Sequence, residues 1–327
     1  MFWVNLLMFT VACLTLVQCN SYLIKSLYKV SSYLKLNEFT VGFILVAVAT
    51  SIPEIMIGIM SSLDGKPEFS VGNVIGSNIV DLTLIIGIGA VLARRITVGS
   101  KIVKKDIFYM TLIIFAPVVL LLDHHLWNAL GLFPDITEGL SRFDGVVLIG
   151  IFLTYIYKLI TQESRFYRKI DRSTKKDAIK YSFFFIGTLF FIFASANYVV
   201  EYAKLISSDL DISPLIIGLF LIAVGTSLPE LIFTLKTISS THQGMALGDI
   251  IGSVITNSTL VLGITAVISP VSVSSMVYFT STMFMLFCAF VFFTYAESES
   301  GISWREGVTL ILLYVLFIII ETSLKAF

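Results

Sequence analysis

Two glutamates, Glu54 and Glu230, each sit deep inside an apolar stretch and each close the same pattern: Thr50-Ser51-x-Pro53-Glu54 and Thr226-Ser227-x-Pro229-Glu230. A carboxylate at membrane depth is costly unless it meets a cation, a partner or water. No Lys or Arg lies within either stretch before its end. Two carboxylates at matching positions also repel each other, and a cation between them removes both costs. Packing of two protonated glutamates is the competing reading, and its repetition weighs against it. The prolines add oxygen. Pro53 cannot donate to the carbonyl of Ala49, nor Pro229 to that of Gly225, because proline lacks the N–H. Such carbonyls are tolerated in a bilayer only where they line a cavity or meet an ion. Thr50 and Thr226 precede the glutamates by four residues, which predicts hydroxyl and carboxylate on one helix face.

The stretch after each glutamate supplies a second wall. Asn73, Ser77 and Asp81 recur every four residues, as do Asp249, Ser253 and Asn257, so each trio forms a polar stripe on one predicted helix face. Gly72-x-x-x-Gly76 and Gly248-x-x-x-Gly252 permit close approach of a neighbouring backbone; alone they are ordinary packing. Calcium takes about 6–8 oxygens from carboxylates, carbonyls and water. With no Cys or His nearby, zinc and copper fit poorly; a hard cation fits, and the residues do not separate calcium, sodium and manganese. Cys13, Cys19 and Cys288 lie in or beside apolar segments without ligand spacing and read as core residues. His124 and His125 read as part of a solvated loop. Asn257-Ser258-Thr259 has the form of a glycosylation sequon, but it lies in an apolar span and is discounted.

These residues need elements to hold them at membrane depth. The chain of 327 residues is 57% hydrophobic and 13% charged, with mean hydropathy +0.93, against about a quarter charged in soluble domains. Net charge is zero, so nucleic acid is not an implied partner; the lipid bilayer is. Apolar runs fall at 2–24, 39–62, 70–93, 106–122, 144–160, 181–206, 214–236, 244–268, 276–294 and 304–323, each near the length of about 20 residues that a membrane helix needs. The first lacks a preceding basic region and reads as a membrane helix, not a signal peptide. Lys and Arg alternate between the connections: 18 of the 22 fall on one side and 4 on the other. That side is predicted to be cytoplasmic, which places both termini outside.

An internal repeat organises the ten runs. Residues 42–92 align with 218–268 at a constant offset of 176, and 19 of the 51 pairs are identical, with Pro, Glu, Ser and Gly matched together. Each half holds five runs, so the second enters the membrane inverted, the layout of secondary transporters. The expected architecture is an all-α membrane protein with ten transmembrane helices in two inverted-topology five-helix repeats. Residues 1–160 form the first repeat, 161–180 a basic cytoplasmic linker, and 181–327 the second repeat.

The motifs resemble the two alpha repeats of the sodium/calcium exchanger family, whose pattern reads G-T-S-x-P-E followed by G-N-x-x-G-S-N-x-x-[ND]. The first copy here runs Ala49 to Glu54 and Gly72 to Asp81; the second runs Gly225 to Glu230 and Gly248 to Asn257. Ala49, Asp249 and Val254 depart from the pattern. The resemblance implies that Glu54 and Glu230 coordinate the ion, with Asp81 and Asn257 completing the central site. It implies sodium contacts from Thr50, Ser51, Ser77, Thr226, Ser227 and Ser253 and from the carbonyls of Ala47 and Ala223. Asn73 and Asp249 join the candidate set from their stripes. The extra carboxylate, Asp81 opposite Asn257, sits in the first half, where archaeal-type members are expected to carry it in the second. The leading expectation is an antiporter of the cell membrane that exchanges sodium for calcium by alternating access. No cofactor is expected beyond the transported calcium and sodium ions, and one chain suffices as the transport unit. A proton/calcium exchanger is the nearest rival, although its G-N-A-x-E type motif is absent. A cation channel would need a continuous pore, and an enzyme a nucleophile–base pair that the chain does not display.

Overall fold

The computed structural model describes residues 2–33, 46–98, 101–130, 139–163, 175–238, 243–272, 276–298 and 301–324. Part of the predicted span 39–62 and most of the linker 161–180 lie outside these residues. In chain order the helices are α1 (Phe2–Tyr33), α2 (Val46–Thr50), α3 (Ile52–Leu63), α4 (Pro67–Ile79), α5 (Ile86–Ala93), α6 (Lys101–Leu130) and α7 (Arg142–Glu163). The second half continues with α8 (Lys175–Leu210), α9 (Pro214–Ile217), α10 (Ala223–Thr226), α11 (Leu228–Ile238), α12 (Gln243–Thr256), α13 (Leu262–Ile268), α14 (Met276–Glu297) and α15 (Trp304–Leu324). Single π-helical turns join α4 to α5 (Val80–Ile85), α9 to α10 (Gly218–Ile222) and α12 to α13 (Asn257–Val261).

Each predicted run coincides with helix where it is described. Six helices among the described residues are long and apolar enough to cross a membrane, or seven if the bent pair Pro214–Thr226 and Leu228–Ile238 is one span. Helices α6 and α7 fall short of that measure. Helix α6 also continues through His124 and His125 to Leu130, which corrects the loop expected there.

Burial separates a centre from a periphery. The spans Pro67–Ala93 and Ala246–Ile268 are 83% buried within the protein, whereas Phe2–Leu23 is 33% and Ile179–Leu210 28% buried. The central pair is therefore enclosed by other helices, so its polar stripes face protein on every side. Helix α1 packs along α8, α5 along α15, and α7 along α13, so each half leans on the other. Two short antiparallel pairs fasten the ends: β1 (Arg95–Ile96) on β4 (Ile302–Ser303), and β2 (Gly139–Leu140) on β3 (Val271–Ser272). The helices that follow β2 and β4 begin with reciprocal caps. Ser141 N–H donates to Asp144 Oδ2 at 2.8 Å, and Ser303 N–H donates to Glu306 Oε2 at 2.6 Å.

Helix α4 crosses the segment α9–α10 almost in backbone contact. A Cβ added to Gly72 would lie 2.2 Å from the Leu215 carbonyl oxygen, and one added to Gly76 would lie 2.2 Å from that of Leu219. Only glycine permits this approach. It brings the polar stripe of one half against the broken helix of the other.

Candidate cation site

Both broken helices turn at the serine before the proline. Ser51 separates α2 from α3 with φ −81° and ψ 2°, and Ser227 separates α10 from α11 with the same angles. The residue that departs from helical ψ is thus the same in both copies. The helical ladder resumes at once, with Ile55 N–H on Ser51 O (3.0 Å) and Leu231 N–H on Ser227 O (3.1 Å). Each glutamate stands in the first turn after its break, and its carboxylate accepts a hydrogen bond from its own backbone N–H.

Thr50 and Thr226 each end the helix before the break. They reach across to the other half. Thr50 Oγ1 donates to Asp249 Oδ1 at 3.0 Å and lies 3.1 Å from Ser253 Oγ. Thr226 Oγ1 donates to Asn73 Oδ1 at 3.0 Å, lies 3.4 Å from Ser77 Oγ, and faces the Glu54 carboxylate. The stripe of each half thus holds the hydroxyl of the other half's break.

Asp81 and Asn257 occupy equivalent places in the two π-helical turns that follow the stripes. A π turn adds one residue per turn and re-aims the side chains at that point, a feature common at functional sites. Glu54, Asp81, Glu230 and Asp249 all interact electrostatically across the centre of the protein. Each is at most 1% exposed.

The oxygens in this region outnumber their donors. Among the described residues, Ser51 Oγ, Glu54 Oε2, both Asp81 carboxylate oxygens, Ser227 Oγ, Glu230 Oε2, Asp249 Oδ2 and Asn257 Oδ1 are buried without a hydrogen-bond partner. Orphaned buried acceptors cost about 1–3 kcal/mol each, and more when charged. Eight of them together are what an ion-binding centre presents before its ion is counted. No three His, Cys, Asp or Glu side chains among the described residues cluster as a compact metal centre. A cation here is therefore shared between carboxylates, hydroxyls and amides, a donor set suited to hard cations.

The family pattern over residues 4–161 and 180–322 matches "Sodium/calcium exchanger protein". The chain belongs to the sodium/calcium exchanger family. It is 30% identical to the sodium/calcium exchanger MaX1 of Methanosarcina acetivorans, over 98% of this chain and 99% of that protein. It is also 30% identical to the inner membrane protein YrbG of Escherichia coli, over 77% of this chain and 76% of that protein. Among solved structures it resembles the sodium-calcium exchanger NCX_Mj soaked with 2.5 mM Na+ and 10 mM Sr2+, at TM-score 0.68 and 26% identity over 97% of this chain and 99% of that chain. The protein is a multi-pass membrane exchanger.

For this member of the family, the structure gathers Thr50, Ser51, Glu54, Asn73, Ser77, Asp81, Thr226, Ser227, Glu230, Asp249, Ser253 and Asn257 in buried positions along the four elements just described. Ala223 is buried beside them, and its carbonyl accepts Ser227 N–H at 3.0 Å and the Thr226 hydroxyl at 3.3 Å. Ala47 lies one turn before the first break on α2. Asn257, Ser258 and Thr259 are all buried inside the protein, in keeping with the discounted sequon. Two asparagines near the centre escaped the sequence reading. Asn78 donates from Nδ2 to Ser258 Oγ at 2.8 Å, and Asn20 on α1 donates from Nδ2 to the Thr50 carbonyl at 3.3 Å. Asn78 stood in the motif opposite Val254, so the repeat gave it no partner; Asn20 lies outside the repeat altogether.

Proposed function

We propose that the protein is a sodium/calcium antiporter working by alternating access, with its ten helical runs arranged as two inverted five-helix repeats. The observation that carries this reading is the reciprocal grip at the centre: Thr50 on Asp249 and Ser253, Thr226 on Asn73 and Ser77, with orphaned carboxylate oxygens between them. Glu54 and Glu230 are the shared ligands of the calcium ion, and Asp81 and Asn257 complete its shell. The hydroxyls of Thr50, Ser51, Ser77, Thr226, Ser227 and Ser253, with the carbonyls of Ala47 and Ala223, serve sodium. MaX1 bears the name of sodium/calcium exchanger, and NCX_Mj was soaked with sodium, calcium and strontium, which supports the same cation class here. The protein sits in the cell membrane with both termini outside, following the Lys and Arg distribution.

Purified protein in sealed vesicles loaded with sodium is expected to accumulate calcium-45 when diluted into sodium-free medium. A proton-coupled exchange is the second reading, and Asp249 favours it. Where the first half has neutral Asn73, the second has Asp249, a fourth carboxylate that a bound proton would neutralise. Calcium uptake driven by a pH gradient in the absence of sodium would select that reading.

A further inference from the structure

Asn20 is the one buried amide that α1 brings to the broken helix of the first half. It is 0% exposed, on a helix whose buried side chains Cys13, Leu16 and Leu23 are apolar. An uncompensated amide in such a wall is costly. Its Nδ2 donates to the Thr50 carbonyl at 3.3 Å, beside the Ser51 turn, while its Oδ1 is buried with no partner. The amide orientation follows from that contact, since Oδ1 turned toward the Thr50 carbonyl would set two acceptors together. A neutral hard oxygen thus lies next to the break, on a helix that contributes nothing to the repeat motifs.

Resting on the sodium/calcium reading above, we infer that Asn20 is a ligand-supplying and positioning residue for the monovalent cation at the first-half break. Nδ2 fixes the Thr50 carbonyl and with it the Ser51 turn, and Oδ1 of the same amide is left as an unpartnered neutral oxygen. A neutral donor adds no charge. It therefore favours an ion already balanced by one carboxylate over a divalent ion that draws on several. At the second break, the α1 side chain that approaches the Gly225 position is Cys13, whose Sγ would lie 3.0 Å from a Cβ there. The two breaks, alike in backbone, consequently differ in their sodium environment.

The test separates two transport modes of reconstituted full-length protein. Sodium-driven calcium-45 uptake is measured against internal sodium, and calcium-for-calcium exchange is measured in sodium-free buffer. Asn20→Ala is expected to raise the sodium concentration for half-maximal uptake about tenfold, the effect of losing a hydrogen-bond-strength contact to a charge. Calcium-for-calcium exchange should fall less than sodium-driven uptake. Asn20→Ser, smaller but still polar, keeps the question open to measurement if the alanine variant does not insert, and should show the same split. An unchanged sodium dependence, or an equal loss in both modes, overturns the inference. Wild-type protein without sodium-driven uptake refutes the sodium/calcium reading instead, a result that needs no variant.

Discussion

At the scale of single residues, the site is a set of acceptors held in place by threonines from the opposite half. Glu54 and Glu230 each present a buried oxygen that no protein donor reaches. Glu54→Gln or Glu230→Gln is expected to cut calcium uptake by about a hundredfold or more, because removing one member of a buried charge pair costs several kcal/mol. Tracer uptake by the two variants, with folding verified by gel filtration, checks this. Asp81 and Asn257 provide a sharper comparison. Asp81→Asn alone should weaken calcium binding, while Asp81→Asn combined with Asn257→Asp moves the carboxylate to the other π turn and should restore part of it. Calcium half-saturation of the single and double variants measures the difference. The acidic and hydroxyl residues were legible because they recur at fixed offset with Pro and Gly. Their partners were not, since a hydrogen bond from Thr50 to Asp249 joins residues 199 apart, and no local spacing encodes it. Asn20 left no trace, being one of three amides, with Asn5 and Gln18, in an apolar run that carries no motif.

At the scale of elements, the two prolines foretold broken helices, and the breaks fall at Ser51 and Ser227. The π turns at Asp81 and Asn257 were invisible to a stripe counted every four residues, because an inserted residue shifts phase without changing composition. Close packing of α4 on α9–α10 is what holds the stripes to the breaks. Gly72→Ala would put a Cβ 2.2 Å from the Leu215 carbonyl oxygen. Overpacking of this kind is expected to destabilise the protein by about 1–3 kcal/mol and to lower its melting temperature in detergent. Gly150→Ala on α7, where nothing lies within 4 Å of the added Cβ, is the matched control and should leave stability within about 0.5 kcal/mol of wild type.

At the scale of the whole molecule, two deeply buried spans are ringed by helices that face lipid, and each half fastens to the other at both ends through β1–β4 and β2–β3. The uneven Lys and Arg distribution predicts an orientation, with Lys66 outside and Lys104 inside. A cysteine placed at residue 66 is expected to react with a membrane-impermeant maleimide on intact cells, and one at residue 104 only after permeabilisation; the reverse pattern would invert the assignment. The helical, membrane-embedded character was legible in outline, because each apolar run coincides with helix where it is described. The described helices alone do not count ten spans: six or seven meet the length and composition of a crossing, and the start of the second run lies outside the described residues. The central claim is that sodium and calcium compete for one site between the two broken helices. Calcium-45 uptake into sodium-loaded vesicles tests it most directly. Uptake should require the sodium gradient, collapse when sodium is equal on both sides, and vanish in Glu54→Gln. Uptake that is indifferent to sodium, or that survives the loss of Glu54, contradicts it.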